Sequence, residues 1–392
     1  MDRSPARAVH QNGASSVCDQ TSGECSSSIA CSGHGDCGGG AYCTDDDVCK
    51  KADTGTPCDD ESDCRGGDDC LGGFCGCDGT AIQAEQVPVN MLMVLDRSNS
   101  MQCLVDGTVA ADEGYLDPNS RWQAALGAID TLVSTFDDSI DFGLAVYPGT
   151  GLEGPGSKET ALCDPDGTPG CDGDLCTIGD RIVEVQPNAG DQIISALEVE
   201  EHAPAGCTPS GPSLQAQVGY DELADPGEEN FILYITDGAE NCSEDPGQVS
   251  AIENLRNQEP EVRTFVVGFT EDVNPNELNE AAEAGGMARE DADLSYYQAN
   301  DEAVLTEALD EIGGLALSCS FSLDEEPPDI DDLFVFLDGE SLEEDPDDGW
   351  SYEVDGDGEN PHSTLNGSAC DSLQAGEVED VNIVQGCSVV IE

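Results

Sequence analysis

Three short stretches carry side chains that could do chemistry: "DRSNS" at 96–100, "GCTPSG" at 206–211 and "ITDG" at 235–238. Together they supply two carboxylates, Asp96 and Asp237, and three hydroxyls, Ser98, Ser100 and Thr208. These are hard oxygen donors of low summed charge. Such a set suits a small hard cation that keeps some waters and an open coordination position, Mg2+ first, with Mn2+ and Ca2+ as alternatives. Each stretch also has an ordinary explanation. Ser98 and Ser100 can cap a helix or close an ST-turn, Thr208 can cap before Pro209, and Asp237 with Gly238 can make a turn. The metal reading rests on all three occurring in order, each beside an element that brings it to one place.

Those elements are legible in the hydrophobic pattern. Apolar, β-branched runs occur at 89–95, 142–147, 181–185, 231–235, 264–269 and, less sharply, 295–298. Helix-period stretches lie between them at 121–136, 189–199, 210–224, 246–257, 274–284 and 300–317. Strand and helix alternating in this way predict an α/β fold, a Rossmann-like, mainly parallel sheet with helices on both faces. In such sheets ligands bind beyond the carboxyl ends of the strands, near the point where strand order reverses. Asp96 ends the first run and Asp237 follows the fourth, so both are expected at that edge.

At these residues the sequence resembles a von Willebrand factor type A domain with a metal-ion-dependent adhesion site, over roughly residues 87 to 317. The resemblance implies Ser98, Ser100 and Thr208 as direct metal ligands, with Asp96 and Asp237 acting mostly through water. It also implies that an acidic residue of a protein partner completes the coordination. One departure is Asn99, where the family commonly has glycine; asparagine tolerates the left-handed backbone of a turn better than most residues.

The rest of the chain frames this region. Of 392 residues, 84 are Asp or Glu and 12 are Lys or Arg, a formal net charge of -72. That excess disfavours nucleic acid and anionic membranes as partners, and it fits a solvated surface adapted to salt. The 20 cysteines, 11 of them between Cys18 and Cys77, point to an oxidising, extracellular or cell-surface location. No stretch has the ~20 apolar residues of a membrane span. The start "MDRSPARAVHQNGASSV" lacks the apolar centre of a signal peptide, so an export signal is expected to be missing from this chain, removed, or lost to a wrongly placed start.

The expected organisation is a disordered start at 1–17, cysteine-rich repeats at 18–80, the α/β domain at 85–318 and a small β domain at 319–392. Within the repeats, Cys31, Cys37, Cys43 and Cys49 share the spacing C-x5-C-x5-C with Cys58, Cys64, Cys70 and Cys75. This spacing resembles the growth-factor-like repeats of secreted proteins. A long insertion at 148–180 carries Cys163, Cys171 and Cys176, and either shapes a partner surface or is a pinned excursion. Cys103, Cys207 and Cys242 lie within a few residues of the candidate loops, and a bridge among them is expected to stiffen the site.

An enzyme is disfavoured. The four histidines, His10, His34, His202 and His362, form no HExxH pair, no GxSxG elbow is present, and no base is expected beside Ser98. A metal-dependent phosphotransferase would want a second carboxylate where Ser98 stands, and a metal-dependent hydrolase is the less favoured alternative. The resulting expectation is a metal-dependent adhesion protein whose partner presents a carboxylate. The alternative is a structural subunit that uses the same domain for self-association.

Overall fold

The computed structural model describes residues 84–108, 114–150, 174–242, 246–270, 272–289, 292–323 and most of 333–385, with a few single positions beside them and backbone alone for short strands between 41 and 76. The start at 1–17, most of the cysteine-rich region and the end of the expected β domain at 386–392 lie outside the described residues. Within the cysteine-rich region, Ala41–Cys43 pairs antiparallel with Cys49–Lys51, and Asp69–Leu71 with Phe74–Gly76.

The chain divides into two compact units, one of them Gln86–Cys319 with Gln374–Gly376. This unit runs β1 (Val89–Asp96), α1 (Arg121–Phe136), β2 (Asp141–Tyr147), β3 (Asp180–Gln186), α2 (Gly190–Leu197) and α3 (Ser210–Gln215). It continues with β4 (Glu229–Thr236), α4 (Gln248–Arg256), β5 (Arg263–Phe269), α5 (Pro275–Gly285), β6 (Tyr297–Ala299) and α6 (Glu302–Ala316). The six strands form one sheet in the order β6, β5, β4, β1, β2, β3. All neighbours are parallel except β3, which closes one edge antiparallel to β2. A mixed sheet of this kind, mostly parallel with one antiparallel edge, is common among α/β folds.

Burial explains why β1 reads as a continuous apolar run: all eight of its residues are buried, because it lies in mid-sheet with cover on both faces. Met91, Met93 and Leu95 face one core with the apolar sides of α1, α2 and α6. Leu92 and Val94 face a second core with residues of α3, α4 and α5. The period-2 alternation of the strand thus feeds two layers of helices. Where strand order reverses, β1 is flanked by β2 and β4, and the pairing of Leu95 with Ile235 brings their carboxyl ends level.

Several elements differ from the sequence expectation. The helix expected over 210–224 stops at Gln215, and Asp221–Leu223 follows as a separate 3-10 turn. The chain turns between them at Gly219, whose φ of +75° is left-handed and breaks the helix. The last strand lies at Tyr297–Ala299 rather than 295–298.

Gly211 in α3 allows a close approach: a Cβ there would lie 2.1 Å from the Pro246 carbonyl oxygen and 2.8 Å from the Gly247 carbonyl carbon. A Gly211→Ala substitution is therefore expected to destabilise the domain by about 1–3 kcal/mol, as overpacking against backbone does. A urea melt checks this, and an unchanged midpoint would show that the α3 and α4 segments can part without cost.

The other unit is described separately and holds Ser320–Leu373 and the residues from Glu377, together with residues up to Glu85. One four-stranded sheet has the order Trp350–Val354, Pro361–Leu365, Ser320–Leu323, Ala84–Gln86. A three-stranded sheet has Leu333–Leu337 between Glu340–Leu342 and Val381–Gln385. The stretch "LFVFLDGESL" folds as a hairpin, turning at Asp338 with φ of +49°. Helix Ser368–Gln374 was not foreseen from sequence. Among the described residues no helix is long and apolar enough to cross a membrane.

Candidate metal centre

The first loop begins where β1 ends. Asp96 is fully buried, and its Oδ1 accepts the Ser98 amide at 2.8 Å, an Asx turn that reverses the chain on leaving the sheet. Its Oδ2 accepts the Thr236 hydroxyl at 2.9 Å. Ser98 precedes the 3-10 turn Asn99–Gln102, yet its side chain does not cap that turn. Its hydroxyl lies instead 2.9 Å from that of Ser100, and the Ser100 hydroxyl donates to Asp237 Oδ1 at 2.8 Å.

The second loop carries Thr208 just before α3, which likewise has no side-chain cap. Thr208 is buried, its amide donates to Asn241 Oδ1 at 2.8 Å, and among the described residues its hydroxyl meets no hydrogen-bond partner. The third loop leaves β4 at Asp237, which is fully buried.

These loops are tied pairwise. The Asn99 amide donates to Gly206 O at 3.0 Å and the Ala205 amide to Arg97 O at 2.7 Å, joining the first loop to the second. The Asn241 amide donates to Thr208 O at 3.3 Å, joining the second to the third. Ser100 and Asp237 join the third to the first. The five residues singled out in the sequence thus lie on three mutually bonded loops, with Asp96 and Asp237 at the carboxyl ends of β1 and β4, Ser98, Ser100 and Asp237 joined through their side chains, and Thr208 tied in through its backbone.

Two arginines missed by sequence reasoning complete the frame. Arg97 is buried, and its guanidinium donates to the carbonyls of Pro148, Gly149, Glu201, His202 and Ala203 at 2.6–3.3 Å. Burial lowers its pKa to about 10, against the attraction of Asp180 and Glu201. Arg121 opens α1, capped by the Ser120 hydroxyl, and its Nη1 donates to Asp237 Oδ2 at 2.9 Å while Nη2 pairs with Asp272. Its Nε has no partner among the described residues. The only sequence signal for either was an arginine among so few basic residues.

Electrostatics at this crevice are unbalanced. Burial, and then the charge of Asp237, pushes Asp96 up to about 7. Asp237 is raised as well, by burial, with Arg121 opposing. Burial works against the charge on Arg121, but its two carboxylate partners outweigh this and its pKa is raised. Two fully buried carboxylates therefore meet one guanidinium, and Asp96 is held by neutral donors only. An unpaired buried carboxylate is costly, so the frame favours an added positive charge. Its donors are oxygens throughout, with no thiolate or imidazole among them, which fits a small hard cation.

The His202 Nδ1 lies 2.6 Å from Ala196 O. The bridge expected among Cys103, Cys207 and Cys242 is not formed. Cys171 pairs with Cys207 and Cys176 with Cys242, while Cys103 is bonded to neither of the other two. The loops approach through their own backbone hydrogen bonds, which leaves Cys207 and Cys242 to tie down the end of the 148–180 insertion. There the Cys207 amide also donates to Leu175 O at 3.0 Å.

Fold and crevice together define an α/β protein with a doubly covered, mainly parallel sheet and an oxygen-lined crevice where strand order reverses. No family model matches the chain, and no curated protein does. Among solved structures it is similar to the PilB minor pilin of Streptococcus sanguinis, with 17% identity over 59% of this chain and 61% of that one, TM-score 0.39. It is also similar to proximal thread matrix protein 1 of the mussel byssus with a zinc-occupied MIDAS motif, with 14% identity over 61% and 50% of the two chains, TM-score 0.39. A third is the manganese-loaded TRAP protein of Plasmodium vivax, with 14% identity over 57% and 74% of the chains, TM-score 0.36. The chain spans 61% of the pilin's length and 50% of the byssus protein's.

Proposed function

We propose that residues 87 to 317 form a von Willebrand factor type A domain whose adhesion site binds a divalent cation, Mg2+ first, and through it an acidic residue of a protein partner. The observation that carries this reading is the crevice itself: five oxygen donors on three mutually bonded loops, with more buried negative charge than Arg121 balances. Ser98, Ser100 and Thr208 would hold the ion, with Asp96 and Asp237 supporting it. When bound, the ion supplies a Lewis-acidic open position for a carboxylate. The protein's own residues do the rest. Asp96 orients Ser98 through its amide, Arg121 fixes one oxygen of Asp237 and leaves the other facing Ser100, and Asn241 fixes Thr208.

A divalent ion would add two positive charges beside Asp96 and Asp237. That local positive charge is what would recruit a partner carboxylate to a chain of net charge -72, which otherwise repels it. The disulfides and the acidic composition support an exported, salt-tolerant protein.

Calorimetric titration with Mn2+ and Mg2+ in concentrated monovalent salt tests this. The intact chain should bind one ion in the domain, and Thr208→Ala, which removes a direct ligand, should weaken it by at least the roughly 10- to 100-fold that loss of an outer-shell partner costs. An Asp96→Ala, Thr208→Ala double variant should not bind at this site. Equal binding by parent and double variant would end the metal reading.

A further inference from the structure

The sulfurs of Cys176, Cys207 and Cys242 all lie within 4.8 Å of one another, although Cys207 is bonded to Cys171 and only Cys176 to Cys242. Two bridges therefore sit side by side, both anchored in a segment that ends the 148–180 insertion. They are unequally accessible. Cys207 is buried, 4% exposed, whereas its partner Cys171 is half-buried.

From this arrangement we infer that the pair is a disulfide-exchange relay, in which opening the first bridge moves the second onto the two site loops. An external dithiol attacks the more accessible Cys171 sulfur and expels Cys207 as thiolate. That thiolate is already beside the Cys176–Cys242 bridge. It attacks the Cys242 sulfur, forms a Cys207–Cys242 bond and releases Cys176, which takes up a proton. The second thiol of the reductant then resolves the mixed disulfide at Cys171 and closes its own ring. In sum the dithiol is oxidised to a cyclic disulfide, and the protein gains thiols at Cys171 and Cys176 while keeping one bridge.

Direction comes from the backbone. Thr208 and Asn241 are joined by two hydrogen bonds, the Thr208 amide to Asn241 Oδ1 at 2.8 Å and the Asn241 amide to Thr208 O at 3.3 Å. Cys207 and Cys242 flank that contact, so it holds them together whatever the state of the insertion. The outcome removes the insertion's covalent ties to both loops and ties the loops directly to each other. This inference stands apart from the metal reading and does not require it.

The full-length Cys171→Ser protein generates the Cys207 thiol without any reductant. Free thiols are trapped by alkylation in acid, and bridges are mapped by proteolysis and mass spectrometry. The relay predicts label on Cys176 and a Cys207–Cys242 cross-link, with loss of the Cys176–Cys242 peptide. Label on Cys207 with Cys176–Cys242 intact overturns it, as does a Cys176–Cys207 cross-link with Cys242 labelled. Should that variant fail to fold, graded dithiothreitol treatment of the parent protein decides the matter. Label must then appear on Cys171 and Cys176 together, and label on Cys171 with Cys207 instead overturns the relay.

Discussion

An Arg97→Met protein is expected to melt about 6–20 °C below the parent, the shift that a loss of about 3–5 kcal/mol produces in a domain of this size. The guanidinium lies inside the protein, 1% exposed, and reaches carbonyls at both ends of the crevice wall: Pro148 and Gly149 after β2, and Glu201, His202 and Ala203 before the Thr208 loop. Its own backbone adds bonds to Tyr147 O and from the Ala205 amide, both at 2.7 Å. Methionine keeps the stem but none of the donors, so several carbonyls lose their partners in a place water does not freely reach. Leaving a buried polar group unsatisfied costs about 1–3 kcal/mol each, less whatever relaxation recovers. Lysine should restore only part of the loss, because a single ammonium cannot replace a planar fork that serves separate carbonyls. Differential scanning calorimetry of the three proteins checks this. A methionine variant that melts with the parent would mean that the loops hold themselves in place and Arg97 merely fills space.

Arg121 should behave differently, because its partner is a charge. Arg121→Met leaves Asp237 buried beside Asp96 without its cation, and breaking a buried pair in this way costs about 3–5 kcal/mol. In chelator the variant is expected to be strongly destabilised. Excess Mn2+ should then raise its melting temperature by more than it raises the parent's, since the ion supplies the missing positive charge and binding to the folded state adds stability by mass action. Chemical denaturation of parent and variant, each with chelator and with Mn2+, separates the two effects. If Mn2+ stabilises both proteins equally, the ion and the guanidinium do not share one electrostatic field, and the proposed placement of the metal beside Asp237 fails.

Much of the frame was legible in the chain because it is written in local patterns. The run "VNMLMVLD" is apolar without alternation, which only a strand covered on both faces tolerates, and all its residues are buried. Helix α1 begins and ends where its periodicity does, at Arg121 and Phe136, with Ser120 as the cap. Oxygen-bearing residues placed just past such strands must lie at the carboxyl edge of the sheet, so their proximity followed from topology rather than from the motif alone. The 210–224 stretch read as one helix because its apolar spacing continues past Gln215, and the left-handed Gly219 that interrupts it leaves little trace in a periodicity.

What the chain determined by itself was the succession of buried strands and amphipathic helices, and hence the edge at which Asp96, Ser98, Ser100, Thr208 and Asp237 emerge. Tertiary structure alone decided which distant groups meet there. Arg97 finds its carbonyls 105 residues away at His202, and Arg121 finds Asp237 at a separation of 116. Cys207 and Cys242, although their sulfurs lie within 4.8 Å of each other, each bond into the insertion, at separations of 36 and 66. Periodicity reports how a residue faces its own element's neighbours, because burial acts locally on every turn and pleat. The partner of a buried charge or thiol depends on where the folded chain returns, and no local spacing encodes that.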